Sequence, residues 1–548
     1  MNSDHIENIP CPELDDQLTV EAWVVADDDR QEGMQALVSK WKPLESFESF
    51  DAYDACETDG LSSVGYFGAV FDGRYVYYVP EQQPDLTTHG IVLRYDTHSP
   101  FDNSESYSAY DAACTAGLDT RGYYGAVFDG TFVYFVPRQT DKQDFHSFLL
   151  RFNTLLDFKD PEAWDAQDIG PKHSSQSAAF DGRFIYFCPG YEGDPSTENT
   201  NSSQVMRYDT EGEFHDASSY CFFDVSGVGG LGGSCFDGGA FDGRYAYFVP
   251  LESGIAVRCD TERDFEDAES WEAFDAKQVG MGMNVGAVFD GRYLYYVSYL
   301  NAIIVRFDTT GNFTDSASWE SYDSDHTGGL RTNGNDGGFF DGRYVYFVPF
   351  VYGDPGAPIK FHSNYLRYDT QGEFGDSANW KSHDASNASG LFSVGYNAGT
   401  FDGRYFHAAP WRYGPGTGPG ISGVHGTILR CDTLGTQGSF SLRWCDYGHN
   451  GGLNAAVPGP SFLVNTEGGV LSVAAHRRIA AGRHHLQGIY DGKTVKLCID
   501  GELVAKRTGS GRIQSNDLPI AVGRIQDGLG VFRGTIEDVK VSNAVEDA

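Results

Sequence analysis

The sequence predicts an all-β protein, a seven-bladed β-propeller with a second, discontinuous β-domain at its flanks, and three observations carry that prediction. A thirteen-residue hairpin recurs seven times, each copy turns on an Asp-Gly dipeptide, and the turns stand 48 to 61 residues apart. A period of that size, made of strands and tight turns, is the signature of propeller blades.

The copies read GAVFDGRYVYYVP from Gly68, GAVFDGTFVYFVP from Gly125, SAAFDGRFIYFCP from Ser177, GGAFDGRYAYFVP from Gly238, GAVFDGRYLYYVS from Gly286, GGFFDGRYVYFVP from Gly337 and AGTFDGRYFHAAP from Ala398. Their turn aspartates are Asp72, Asp129, Asp181, Asp242, Asp290, Asp341 and Asp402. G-A-x-F predicts a short inner strand, and Asp-Gly favours the left-handed backbone of a tight hairpin. Y-x-Y-F-V-P alternates as a second strand should, with proline at its end. A third strand closes in R-Y-D-T, at 94–97, 207–210 and 367–370, and a fourth follows the pattern aromatic-x-x-x-Asp, as in WESYD at 319–323.

The chain ends predict how the ring closes. A fourth-strand segment, FESFD at 47–51, precedes the first hairpin, whereas the last hairpin has a third strand at 428–433 and no convincing fourth. Start and end are therefore expected to share one blade, which removes an exposed sheet edge. SFSLRWCD at 439–446 has the wrong aromatic spacing for the missing strand.

Outside the repeats lie LTVEAWV at 18–24, LVSKW at 37–41, SFSLRW at 439–444, GRHHLQGIYDGKTVKLCIDGELVA from Gly482, LPIAVGR from Leu518 and FRGTIEDVKVSNA from Phe532. This set resembles the laminin-G-like, concanavalin-A-like jelly-roll family. The resemblance implies one β-sandwich formed by 1–43 and 437–548, with the propeller, 44–436, inserted into it. Two chain crossings would then limit relative domain motion. It also implies calcium as a candidate ion, although His484 stands where many relatives carry tryptophan.

Composition agrees. The chain has 548 residues, 14% aromatic content and 67 glycines, which suits many short strands joined by tight turns. It contains no run of 18 apolar residues, so no membrane insertion is expected. The opening MNSDHIE lacks the basic and apolar regions of a secretory signal, so the expected location is cytoplasmic, or exported without a recognisable signal. Cys188, Cys259 and Cys431 replace strand residues and read as reduced apolar fillers, while Cys221 and Cys235 are a candidate local pair. The net charge of −39 excludes bulk nucleic-acid binding. Much of it is structural: twenty of the 78 acidic residues recur at the hairpin turn, in R-Y-D-T, or at the fourth-strand end, read as Asp51, Asp111, Asp168, Asp224, Asp275, Asp323 and Asp384.

Function is expected where the repeats differ, because sites are grafted onto a scaffold. Four second-to-third-strand loops place a histidine five residues before the third-strand arginine: His89, His146, His362 and His425. Closure of the ring makes their blades consecutive. A shared metal is not expected, since equivalent third strands lie roughly 10 Å outside the innermost strands. In the last copy His407 replaces a tyrosine, Ala408 and Ala409 replace larger residues, and Trp411 follows. Either Trp411, Tyr413 or the glycine-rich loop 414–426 fills the space, or a ligand does. Loops entering the inner strands bring Tyr66, Tyr124, Gln176, Asp237, Asn284, Asn335, Asp336, Tyr396 and Asn397 near the axis, with Arg121, His173 and Arg331 slightly earlier. Amides, carboxylates and aromatic rings suit sugar recognition.

There is no G-x-S-x-G elbow, H-E-x-x-H or phosphate loop. Three readings follow. The first is a small-molecule or glycan-binding protein using the loop face and the jelly roll, with His146, His362, Trp411, Tyr66, Tyr124, Tyr396, Asn397, Arg331 and Asn335 as ligand-binding residues. The second is a lyase or hydrolase whose acid-base pair is drawn from His89, His407, His425 and a tyrosine. The third is a protein-interaction scaffold.

Overall fold

The computed structural model describes residues 9, 11–27, 34–140, 144–170, 173–193, 200–353, 359–414, 423–446 and 459–545. Seven antiparallel four-strand blades are present, the third carrying one extra short strand. The first blade comprises Tyr66–Phe71, Tyr75–Pro80, Ile91–Asp96 and Tyr107–Asp111. The seventh comprises Tyr396–Phe401, Tyr405–Pro410, Thr427–Asp432 and, from the chain start, Phe50–Asp54.

That closing strand corrects the sequence reading by three residues. The aromatic-x-x-x-Asp pattern belongs to Phe50 and Asp54, not to Phe47 and Asp51, and Asp51 instead faces Arg430 across the strands. Phe47 lies against the preceding blade, where the Arg367 guanidinium sits 4.8 Å from its ring centre.

The repeated charges hold the blades. Asp72 Oδ1 accepts the backbone N–H groups of Arg74 and Tyr75 at 2.8 and 2.7 Å, and Oδ2 accepts the Tyr77 hydroxyl at 3.0 Å. This turn recurs in each blade because the short aspartate side chain reaches backbone amides two and three residues ahead. Blades are joined by the R-Y-D-T arginine. Arg94 lies between Tyr75 of its own blade and Phe158 of the next, 4.3 Å from each ring centre. Arg430, 4.2 Å from both Tyr405 and Phe101, makes the same contact where last blade meets first.

The flanking segments form two five-stranded sheets. One contains Leu18–Ala26, Gly482–Tyr490, Thr494–Ile499, Glu502–Thr508 and Gly534–Ser542; the other contains Met34–Trp41, Gly438–Asp446, Ser461–Thr466, Gly469–Ala474 and Ala521–Val522. Alternation along Leu18, Val20, Ala22 and Val24 sends one face inward against Phe440, Leu442 and Trp444. Gly438–Asp446 is thus a sandwich strand, as its aromatic spacing suggested.

The sandwich covers the Asp-Gly turns of the propeller. His98 Nε2 lies 2.8 Å from the Val470 carbonyl, Arg343 Nη1 donates to Asp527 at 3.0 Å, and Arg507 Nη1 donates to the turn carboxylate of Asp72 at 3.3 Å. The His476 ring packs edge-on against Phe128 at 4.9 Å. The sandwich therefore lies on the face of the propeller opposite the second-to-third-strand loops. Cys221 and Cys235 are free thiols and do not form the candidate pair. Among the described residues no helix is long and apolar enough to cross a membrane.

Candidate functional site

Each inner strand carries a β-bulge at its open end. In the first blade Tyr66 pairs with Pro80 and Ala69 with Tyr78, so two residues oppose one. The third residue of each strand motif takes a left-handed backbone, from Gly68 at φ 80° to Ala398 at φ 45°. A bulge re-aims the neighbouring side chain. It turns the second residue of each motif toward the axis, giving a ring of Phe67, Tyr124, Gln176, Asp237, Val285, Asp336 and Asn397.

Above this ring stand residues that follow the second strands, among them Arg138, Leu251, Tyr299, Phe350 and Trp411, and Tyr191 near the end of the longer strand Phe184–Glu192. Together they enclose a cavity of about 220 Å³. Aromatic walls meet a polar floor. Phe67 packs edge-on against Trp411 and Tyr124, at 4.1 and 4.7 Å, and the Arg138 guanidinium lies 4.7 Å from the Phe67 ring centre.

The floor is a network crossing between blades. Asp237 Oδ2 accepts from Tyr124 Oη at 3.0 Å and from Gln176 Nε2 at 2.6 Å, while Asn397 Nδ2 donates to Asp336 Oδ2 at 2.8 Å. Four oxygens of the same side chains are buried without a hydrogen-bond partner: Asp237 Oδ1, Asp336 Oδ1, Gln176 Oε1 and Asn397 Oδ1. Burial raises the Asp237 carboxyl to about 7, against the lowering pull of Tyr124, Arg138 and Gln176. Asp336 is held well above the carboxylate range by burial first and then by the charge of Asp237. Arg138, whose Nη1 donates to buried Glu81 at 3.1 Å, pulls both carboxyls down without offsetting their burial.

Of the residues singled out from sequence, Tyr124, Gln176, Asp237, Asp336, Asn397 and Trp411 line this cavity. Four others are displaced by the bulge. Tyr66 turns into its blade against Tyr78 and His89, and the Tyr396 hydroxyl donates to the Thr427 carbonyl at 3.0 Å. Asn284 and Asn335 each donate to a carbonyl of their own loop, Gly282 and Thr332. Arg331 is tied to Asp325. Phe67, Arg138, Tyr299 and Phe350 were missed; the signal for them was the position directly after the strand-two terminus and one residue inside the inner strand.

The four loop histidines are not brought together in the cavity. In each, Nδ1 accepts the N–H two residues ahead, as from Ile91 to His89, Phe148 to His146, Asn364 to His362 and Thr427 to His425. That acceptor role leaves the proton on Nε2, which for His146 points to the Arg121 carbonyl at 2.8 Å. The carbonyls of His89, His362 and His425 accept from the glycine opening the next blade, Gly122, Gly395 and Gly65, at 3.1 to 3.2 Å. They are blade staples. Burial lowers each ring to about 4.

His407 lies at the other end of its strand, fully buried, with Nε2 2.8 Å from Asp402 Oδ2. It takes the place of the tyrosine hydroxyl that contacts the turn aspartate in the other blades. Ala408 is buried in one cluster with Phe406, which stacks on Phe339 at 4.1 Å, and Phe339 in turn on Tyr346 at 4.3 Å. Most of the glycine-rich loop, 415–422, lies outside the described residues.

Residues 429–547 match the model of the concanavalin A-like lectin/glucanases superfamily. This segment is a concanavalin A-like domain. Its match opens within the last propeller strand, Thr427–Asp432, and runs through the C-terminal sandwich strands. No curated protein sequence matches the chain. Among solved structures, a virginiamycin B lyase from Staphylococcus aureus is similar at 13% identity and TM-score 0.43, over 70% of this chain and 98% of that one. A streptogramin B lyase gives 11% and 0.42, over 71% and 100%. The β-propeller domain of Myceliophteria thermophila Cps50 gives 9% and 0.37, over 72% and 98%.

Proposed function

We propose that this chain is a ligand-binding protein whose axial cavity, on the propeller face opposite the concanavalin A-like domain, takes one sugar unit of a glycan. The observation supporting it is the convergence of four unpartnered buried oxygens on a cavity walled by Phe67, Trp411, Tyr299 and Phe350. An unpaired buried polar group costs about 1–3 kcal/mol, so a floor carrying four is a floor built for a polar guest. Aromatic faces above it suit a pyranose ring, which is apolar on its faces and polar at its edges. At about 220 Å³ the space is below the range of drug-sized pockets, which favours one ring over an oligosaccharide.

The enzyme reading built on His89, His407 and His425 gains no support from this geometry, because none of the three lines the cavity and a ring nitrogen of each is held by a protein group. A glycan array followed by calorimetry on the full chain tests the binding reading. A binding sugar should lose affinity about tenfold or more in Trp411→Ala and Gln176→Ala. Unchanged affinity in both variants, or no bound glycan, would remove it.

A further inference from the structure

We infer that the ligand of the axial cavity presents an ammonium group to the Asp237 and Asp336 carboxyls, so that within the glycan reading, on which this rests, the bound unit is an amino sugar. The four unpartnered atoms of the floor are all oxygens, and with both carboxyls ionised all four accept. The Tyr124 hydroxyl is committed to Asp237, and the Gln176 and Asn397 amides each spend one of their two N–H groups on an aspartate, so at most two N–H groups remain beside four acceptors. A hydroxyl brings one donor and two lone pairs, and leaves most of that excess of acceptors unmet. An ammonium brings three donors and no acceptor.

Charge leads to the same group. Two carboxyls are buried in one floor, Asp237 and Asp336 flanking Val285, and the cation that lines the cavity, Arg138, is turned to Glu81. The other charged lining residue is exposed Glu252 at the rim, and Arg412, packed against the Trp411 ring, donates from Nη2 to Gln82. The aromatic walls add a cation–π attraction of about 0.5–2 kcal/mol for a cation over their faces. Two carboxyls and two amide oxygens also suit calcium as ligands, but an ion needs neither aromatic walls nor a cavity of about 220 Å³. Binding of an ammonium stabilises the ionised carboxyls, so their protons leave to solvent.

Calorimetry of the full chain near neutral pH, in two buffers of different ionisation enthalpy, tests this with glucosamine, glucose, N-acetylglucosamine, ethanolamine and calcium chloride as probes. Glucosamine is expected to bind about tenfold or more tightly than glucose or N-acetylglucosamine, with net proton release, and more weakly at about pH 5.5. Asp336→Asn should cost about 30-fold or more in that affinity. Should that variant unfold, proton release by the unaltered chain still decides. Equal binding of glucose without proton release overturns the ammonium while leaving the glycan reading intact. Ethanolamine binding with proton release, and no sugar binding, upholds the ammonium and removes the glycan. Calcium chloride alone binding with proton release while both amines fail overturns the inference, as does failure of every probe.

Discussion

Thr131 and Asn153 depart from the repeat together. In the other six blades the arginine after the Asp-Gly turn grips the aspartate of R-Y-D-T, as Arg343 grips Asp369 at 2.9 and 3.2 Å. The second blade has threonine and asparagine at these places, so neither charge is left without its partner. The backbone contact that accompanies the pair survives, with Thr154 Oγ1 donating to the Thr131 carbonyl at 2.9 Å as Thr97 does to Arg74.

Restoring the pair should therefore show coupling. Thr131→Arg and Asn153→Asp are each expected to change stability by less than about 0.5 kcal/mol, and the double variant to gain about 0.5–1 kcal/mol beyond their sum. Urea denaturation of the four proteins measures it. Strict additivity would mean that the arginine grip contributes nothing in this blade.

His407 makes a second prediction. Its contact with Asp402 replaces a tyrosine hydroxyl, so His407→Tyr should lie within about 1 kcal/mol of the parent. His407→Leu keeps an apolar side chain but leaves Asp402 Oδ2 without that donor, and should cost about 2–3 kcal/mol. If leucine and tyrosine are equally tolerated in denaturant titrations, packing rather than the hydrogen bond holds this position.

The blades were legible because their chemistry is local: Asp-Gly makes the turn, alternation makes the strand, and the period makes the ring. The site was legible only to within one residue. A regular strand would send Tyr66, Asn335 and Tyr396 to the face that the bulge gives to Phe67, Asp336 and Asn397. The bulge has weak sequence marking, since Ser177 and Ala398 adopt the same left-handed backbone as glycine. The histidines misled for the opposite reason. Their fixed offset from the third-strand arginine is a regularity, and regularity in a repeat signals scaffold. The irregular positions Gln176, Asp237, Asp336 and Asn397 carry the cavity floor.

The loop histidines give a pH dependence. The ring of His146 titrates at about 4 in the fold, because burial penalises its charge, and near 6.5 in an unfolded chain. The unfolded chain takes up the proton first, so this contribution to stability is present above about pH 6.5 and is lost as pH falls toward 4. Asp237 and Asp341, raised to about 7 and about 6 by burial, act in the opposite sense, gaining stability as pH falls. The whole-protein curve mixes the two, so the variant is the measurement. The penalty of His146→Gln at pH 7.5 should shrink by about 1 kcal/mol at pH 5.5. A penalty that does not change with pH would show that the ring is not held neutral.

The covered turns predict a difference between two glycines with similar backbones. Gly403, φ +101°, lies in the last Asp-Gly turn, and a Cβ there would sit 2.7 Å from Leu463 Cδ2 of the sandwich. Gly60, φ +77°, has open space around the same position. Alanine at Gly60 should cost only the left-handed backbone penalty, about 1 kcal/mol. Alanine at Gly403 adds a clash with a packed leucine from the other domain, and should cost about 2–4 kcal/mol. Because Leu463 is buried, the strain cannot be relieved by a rotamer pointing to solvent; it must move the sandwich or the turn. Trimming the neighbour separates these terms: Leu463→Ala in the Gly403→Ala background should recover more stability than the sum of the single changes predicts. Equal costs at the two glycines would show that the concanavalin A-like domain does not press on the propeller at this turn.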